Sequence, residues 1–222
     1  MNLFDVVGPV MVGPSSSHTA GAVRIGYVSR KLLGENVKNA KIQLCGSFLA
    51  TGVGHGTSKA LVAGLLGFLP DDERIPHSIE LAEENGVSVS FGEAALKDAH
   101  PNSVKLILDG VNGAHMEIVG ESVGGGRINI ASINGLRANF SGAYPTLIVY
   151  NRDEPGVVAQ VTSLLALWHV NLVTMQLHRA NRGGSAVMII ECDQEPPADI
   201  GTWLEKQDGI EKVICFRLES NV

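Results

Sequence analysis

The apolar residues of this chain follow two spacings, one typical of helices and the other typical of strands. Between Thr19 and Leu33 they fall at helical spacing, and Gly34 follows as a stop signal. Other stretches alternate apolar and polar residues, as a half-buried strand does. The pattern predicts a mixed α/β domain with helices over 19–33, 57–69 and 75–85 and strands over 41–45, 87–91, 104–108, 115–120 and 127–133.

The pattern changes after Ser-Gly-Ala-Tyr-Pro at 141–145 and becomes strand–helix–strand–strand–helix–strand. This order is that of a split β-α-β, ferredoxin-like unit. We therefore predict an α+β protein, with a substrate-binding type of mixed α/β domain over 1–141 and a ferredoxin-like βαββαβ domain over 145–222. In the second domain the strands are predicted over 146–150, 171–178, 185–192 and 210–218 and the helices over 157–169 and 200–207.

The composition disfavours several classes of protein. The 222 residues are 45% hydrophobic and 18% charged, which is ordinary for a globular protein with a core. A net charge of −6 and 5% aromatic residues disfavour a nucleic-acid partner, which needs basic patches or stacking platforms. No apolar run reaches the roughly 18 residues of a membrane span, and the first residues lack a signal-peptide pattern. We expect a cytoplasmic protein with no nucleic-acid and no membrane partner.

Residues 13–19, Gly-Pro-Ser-Ser-Ser-His-Thr, concentrate polar groups just before the first predicted helix. Ser and Thr cap the free amides of a helix, and a helix start attracts anions. One hydroxyl is enough for a cap, so four hydroxyls and an imidazole favour a ligand that carries a carboxylate. The candidate substrate contacts are Ser15, Ser16, Ser17 and Thr19, and His18 adds a group that titrates near neutral pH. The alternative is a helix cap that is unusually polar.

A second run, 52–59, has the pattern Gly-x-Gly-x-Gly-Thr-Ser-Lys. It is not a Walker A loop, because the Lys does not follow a Gly directly, and it is not G-x-G-x-x-G either. Its glycines would let the backbone approach a ligand closely, which makes Gly54 a candidate contact. His55 stands before a predicted helix, as His18 does. Two such histidines in one domain favour a functional pocket over two separate caps.

Two stretches, GPSSSHTAG at 13–21 and GSFLATGVGHGT at 46–57, resemble the β chain of bacterial iron–sulfur L-serine dehydratase in order and approximate spacing. The turn Asp153-x-Pro155-Gly156 and the pattern around it resemble the ACT domain that follows this module, so the resemblance covers essentially the whole chain. The first domain also resembles the allosteric substrate-binding domain of some phosphoglycerate dehydrogenases.

The dehydratase resemblance implies a lyase that converts L-serine to pyruvate and ammonia with a 4Fe–4S cluster and without pyridoxal phosphate. The three cysteines, Cys45, Cys192 and Cys215, lack metal-ligand spacing and are too few for such a cluster. The resemblance therefore implies that a separate α subunit holds the cluster and that this chain holds no metal. This chain would contribute the polar residues of the first motif, with His18 or His55 as base or proton relay.

ACT domains typically bind amino acids at interfaces between paired copies. The resemblance therefore places an effector site at Asn151, Asp153, Pro155, Gly156 and Val157, for L-serine or another amino acid, and implies a homodimer. Two alternatives remain open: the Asp153 carboxylate caps the following helix, or the domain serves only for assembly. The alternative function is a non-catalytic regulatory subunit that senses an amino acid, as in the dehydrogenase relatives.

Overall fold

The structure, a computed structural model, describes residues 10–97 and 99–216, and contacts between residues divide the chain into two units between Gly135 and Leu136. The linker expected at 141–145 lies inside the second unit. There the Ser141 amide and hydroxyl donate to the buried Glu191 carboxylate at 3.2 and 2.9 Å. Ser141 is therefore fastened to the second unit.

The strands of the first unit form a sheet in which β1 pairs with a parallel neighbour on one side and an antiparallel neighbour on the other. Five strands are hydrogen-bonded in the order β2-β1-β3-β4-β5, and only the β1–β2 pair is parallel. Their bounds are Val37–Cys45 for β1, Ser88–Glu93 for β2, Asn102–Gly110 for β3, His115–Gly124 for β4 and Arg127–Ile133 for β5.

Helices of the first unit carry both of its sequence motifs. A π-helical turn over Ser16–Ala20 continues into the first α-helix, and a 3-10 turn spans Ile75–His77. The α-helices are α1 over Gly21–Leu33, α2 over Gly46–His55, α3 over Thr57–Leu65 and α4 over Ser78–Glu84.

Glycines allow α1 and α3 to pack closely against each other. A Cβ atom added to Gly64 of α3 would collide with the carbonyl of Val23 and the Cα of Gly26 in α1. Because glycine lacks this atom, the two backbones can touch. The helix that follows the first motif is thus held against the helix that follows the second.

The glycine-rich run before α3 is helical, although the sequence predicted no helix over these residues. α2 covers Gly46–His55, and the left-handed Gly56, with φ of 69°, separates it from α3. Two residues of this helix, Phe48 and Gly52, are buried. Tertiary packing therefore outweighs the low helix propensity of glycine. The helix α3 also ends at Leu65, earlier than the predicted residue 69.

The second unit has the predicted order β-α-β-β-α-β after an unpredicted short strand. β7, β8, β9 and β10 form an antiparallel sheet in the order β10-β7-β9-β8. Both helices pack on this sheet through a core that includes Val149, Val161, Ile190 and Leu204. The bounds are Leu136–Phe140 for β6, Thr146–Arg152 for β7, Val157–Leu167 for α5, Leu172–Arg179 for β8, Ser185–Cys192 for β9, Ile200–Leu204 for α6 and Ile210–Phe216 for β10.

The two units together confirm the predicted α+β class. No helix in the described part of the chain is long and apolar enough to cross a membrane.

Candidate functional site

The first motif forms the π-helical turn and places His18 within it. Ser15 precedes the turn, and its hydroxyl accepts from the His18 amide at 3.1 Å. Ser15 is therefore the N-cap of this turn, as the alternative interpretation of the motif, an unusually polar helix cap, requires. Ser16 and Ser17 are half-buried, and Ser17 Oγ lies 3.4 Å from Ser15 Oγ. A π-helical turn is rare and is found often at functional sites.

Thr19 joins the first motif to the second. Its side chain is buried, 2% exposed, and its hydroxyl donates to the His55 carbonyl at 3.3 Å. A Cβ at Gly13, where φ is +138°, would collide with the Thr19 side chain at 2.5 Å. The structure thus gives the Thr19 hydroxyl an internal partner at the end of α2.

The His18 imidazole has hydrogen-bond partners at both ring nitrogens. Nδ1 lies 3.1 Å from Ser17 Oγ, and Nε2 lies 3.2 Å from Ser47 Oγ and 3.1 Å from Thr51 Oγ1. The ring edge packs against Phe48 with centroids 5.3 Å apart. His18 is therefore held between the π-helical turn and α2.

The His55 imidazole is held at one nitrogen only. Its Nδ1 lies 3.1 Å from the Thr51 carbonyl, which can only accept, so Nδ1 carries the proton in the neutral ring. Nε2 is then the unprotonated nitrogen, and no described residue bonds to it. A nitrogen with a free lone pair at a half-buried position can accept a proton from a ligand.

The two imidazoles lie side by side, with ring centroids 5.0 Å apart. Burial lowers the pKa of His18 below its ordinary value, the charge of a protonated His55 lowers it further, and a backbone hydrogen bond at Ser47 opposes this. His18 is consequently neutral at neutral pH. The structure thus brings together the two histidines that the sequence singled out, although they are far apart in the chain.

Gly54 lies on the exposed surface of α2, next to His55 in the chain. Apart from its own helix backbone and its chain neighbours, no described atom lies within 4 Å of the place a Cβ would occupy. Sequence reasoning missed Ser47 and Thr51, which complete the surroundings of His18. A signal for them existed: residues 47, 51 and 55 are spaced four apart and share one face of a helix. That signal requires the glycine-rich run to be recognised as helical.

The cysteines do not provide a cluster site in this chain. Cys45 lies in the first unit, and Cys192 and Cys215 lie in the second. Burial, and then the nearby Asp193, raises the pKa of Cys192 to about 11, whereas metal ligation needs the thiolate. Among the described residues no group of three or more His, Cys, Asp or Glu could hold a metal ion. The residues present do not fit a 4Fe–4S cluster.

The loop from Asn151 to Val157 begins the first helix of the second unit. Gly156, with φ of 98°, is the N-cap of α5, and no side chain caps this helix. The Asp153 carboxylate instead accepts from the Gly183 amide at 3.0 Å and the Arg179 guanidinium at 2.9 Å. These two groups, in that order, lower the pKa of Asp153. The alternative that Asp153 caps the helix is therefore wrong, because its carboxylate holds the turn between β8 and β9.

Asn151 carries an unsatisfied polar atom in this loop. The residue is 2% exposed, its Nδ2 donates to the Arg152 carbonyl at 2.7 Å, and its Oδ1 has no hydrogen-bond partner among the residues that the structure describes. Buried acceptors without a partner are uncommon in folded proteins. Pro155 is exposed, and Val157 is buried in the core of the second unit.

Both units of the chain match families of known proteins. Residues 2–85 match the family described as serine dehydratase beta chain, and residues 145–206 match the ACT domain. The chain is 40% identical to "Probable L-serine dehydratase, beta chain" of Bacillus subtilis (strain 168), over 96% of each protein. It is 41% identical to "L-serine dehydratase, beta chain" of Peptoniphilus asaccharolyticus, over 86% of each. A D-3-phosphoglycerate dehydrogenase of Bacillus subtilis (strain 168) is 26% identical over 78% of this chain, which covers 33% of that enzyme.

Proposed function

The chain belongs to the serine dehydratase β-chain family, and on that premise we propose that it is a subunit of an L-serine ammonia-lyase. The enzyme would convert L-serine to pyruvate and ammonia. The observation that carries the proposal is the pair of adjacent imidazoles, His18 and His55, whose ring centroids are 5.0 Å apart. A pair of this kind, with one free lone pair, suits a reaction that removes a proton.

His55 is the base in this proposal. Its Nδ1 proton is donated to the Thr51 carbonyl, which leaves Nε2 as the acceptor for the α-proton of serine. His18 has partners at both nitrogens and is the weaker candidate for this step. It would instead orient the substrate or relay a proton.

The first motif would bind the substrate carboxylate. The backbone amides of Ser16 and Ser17 and the hydroxyl of Ser16 lie at the start of the π-helical turn, where both residues are half-buried. Donors at a helical start suit an anion. The Ser15 hydroxyl accepts from the His18 amide, which does not use its own proton, so it can donate to the substrate as well.

The elimination step removes the α-proton and the β-hydroxyl of serine as water and leaves aminoacrylate. Aminoacrylate tautomerises to an imine, which takes up water and releases ammonia and pyruvate. In the proposal a separate α subunit holds the 4Fe–4S cluster, because the thiols of this chain do not fit one. The contribution of this chain is the substrate-binding turn and the proton transfer at His55 Nε2.

The ACT domain would bind L-serine or another amino acid and form a homodimer. Asn151 is the best candidate for the effector contact, because its buried Oδ1 lacks a partner near the uncapped start of α5. Asp153 is already paired with Arg179, so in this proposal it stabilises the loop and does not contact the effector.

The test uses the chain purified with its α partner, and pyruvate formation from L-serine as the assay. We expect turnover only with both chains, and iron only in the presence of the partner. His55→Gln should lower turnover by about a hundred- to ten-thousand-fold, the range for general acid–base groups. The matched control is His115→Gln, an exposed histidine of β4 paired with Asp109, which should leave turnover unchanged. Near wild-type turnover in His55→Gln would refute the catalytic role.

The rival function is a non-catalytic sensor subunit, and the likeness to phosphoglycerate dehydrogenase is the observation that favours it. A sensor needs contacts for a carboxylate and an ammonium group but no base. Under this alternative, His55→Gln would change the serine concentration that gives half-maximal rate and leave the maximal rate intact. The same experiment therefore separates the two functions.

A further inference from the structure

We propose that Thr51 is a positioning residue whose hydroxyl and carbonyl hold His18 and His55 in opposite tautomers. Its Oγ1 lies 3.1 Å from His18 Nε2, and its carbonyl oxygen lies 3.1 Å from His55 Nδ1. One residue of α2 thus contacts both imidazoles. The tautomers follow from the geometry of this chain alone, whereas their catalytic consequence rests on the function proposed above.

The single proton of the Thr51 hydroxyl decides the tautomer of His18. Thr51 Oγ1 lies 2.9 Å from the Ser47 carbonyl, which can only accept, so the hydroxyl donates its proton there. His18 Nε2 must then carry a proton to bond to Thr51 Oγ1, since otherwise two lone pairs would face each other. The Ser47 hydroxyl, 3.2 Å from the same nitrogen, is a second acceptor.

The other nitrogen of His18 agrees with this assignment. Nδ1 is then unprotonated, and the Ser17 hydroxyl, 3.1 Å away, can donate to it. The lone pair of His18 is therefore occupied by a protein hydrogen bond. Burial lowers the pKa of this ring, so the neutral form and its tautomer persist at neutral pH.

His55 has the reverse arrangement, with the proton on Nδ1 and the lone pair on Nε2. The two tautomers leave one free lone pair in the pair of rings, and it belongs to His55. Thr51 therefore determines which histidine can act as a base.

Nitrogen-15 NMR of the full chain, labelled at histidine, is a direct test of the tautomers. The spectra are recorded at a pH above the ordinary pKa of histidine, where the rings are neutral. We expect His18 protonated at Nε2 and His55 protonated at Nδ1 in the wild type. Thr51→Ser keeps the hydroxyl and should keep both tautomers. Thr51→Val keeps the carbonyl but lacks the hydroxyl, so His18 should shift toward the Nδ1-protonated form while His55 stays unchanged. A wild-type His18 protonated at Nδ1, or a His18 that Thr51→Val leaves unchanged, would overturn the proposal.

Turnover of the complex with the α partner tests the catalytic consequence. Thr51→Val should lower kcat about tenfold with little change in KM, which corresponds to the loss of one ordinary hydrogen bond. Thr51→Ser should restore the rate. If the spectra change as expected but the rate of Thr51→Val stays at the wild-type value, Thr51 has no role in the reaction. If the wild-type complex has no turnover, the proposed function fails while the spectra still decide the tautomers.

Discussion

Substitution of Gly64 by alanine should disturb the site from a distance, because Gly64 lies where α1 and α3 touch. α1 continues the turn that carries His18, and α3 begins at Thr57, directly after the Gly56 that follows His55. The spacing of these two helices therefore sets the spacing of the two imidazoles. Gly64→Ala changes this spacing without touching either ring.

The size of the effect follows from the atoms that the new methyl group would meet. It would collide with the Val23 carbonyl oxygen and lie 2.6 Å from the Tyr27 amide nitrogen and 2.9 Å from the Gly26 Cα. These are backbone atoms, which cannot rotate away, so the helices must separate. Overpacking costs about 1–3 kcal/mol, and the better helix propensity of alanine returns at most about 1 kcal/mol. Because the methyl group meets backbone atoms, the upper part of the overpacking range applies, about 2–3 kcal/mol. We therefore expect a net loss of about 1–2 kcal/mol, which corresponds to a Tm lower by about 2–8 °C.

Thermal denaturation of the purified chain measures the loss of stability, and pyruvate formation by the complex measures the effect on the site. The matched stability control is Gly54→Ala, in α2, where a Cβ has nothing within 4 Å and the same propensity gain applies. Its Tm should equal or exceed that of the wild type. Turnover of Gly64→Ala should fall by up to about a hundredfold, since a misplacement near 1 Å can cost that much. A Gly64→Ala chain with unchanged Tm and unchanged turnover would refute the reasoning.

Two further predictions follow from the pKa shifts and from the ACT loop. The pKa of His18 is lowered in the folded chain from its ordinary value of 6.5, so the unfolded chain binds more protons and stability falls as the pH drops below that value. In urea denaturation at several pH values, His18→Gln should reduce this loss, and an unchanged pH dependence would contradict the shift. Asn151→Ala should abolish the binding of L-serine to the ACT domain and the cooperativity of turnover, while Asp153→Asn, which loosens the Gly183 turn, should retain both. Calorimetry measures the binding of L-serine, and rate curves measure the cooperativity of turnover. Equal effects of the two variants would argue against Asn151 as the effector contact. Light scattering tests whether the chain forms a dimer.

Local periodicity was enough to predict the β-α-β-β-α-β order within the second unit and much of the first. The strand over Ser185–Cys192 has its predicted bounds, and α5 starts at the predicted Val157. Helical and strand spacings are properties of a few neighbouring residues, so they are visible in the sequence. The family resemblance also came from contiguous residues, and the similarity to serine dehydratase β chains confirms it.

Sequence reasoning failed where packing outweighed local preference. The run from Gly46 to His55 contains several glycines, which disfavour a helix, yet it is helical with Phe48 buried. Without that helix, Ser47 and Thr51 could not be placed beside His18. The role of Asp153 was also undecided, because its partners come from a turn distant in the chain, at Arg179 and Gly183.

The sequence by itself determined the class of fold, the family and the two histidines of the candidate site. Only the tertiary structure decided that these rings are neighbours and that Thr51 holds both of them. The physical reason is that hydrogen bonds act over about 3 Å between atoms. Residues distant in the chain reach such distances only when helices and sheets pack, and the sequence of each element alone does not specify that packing.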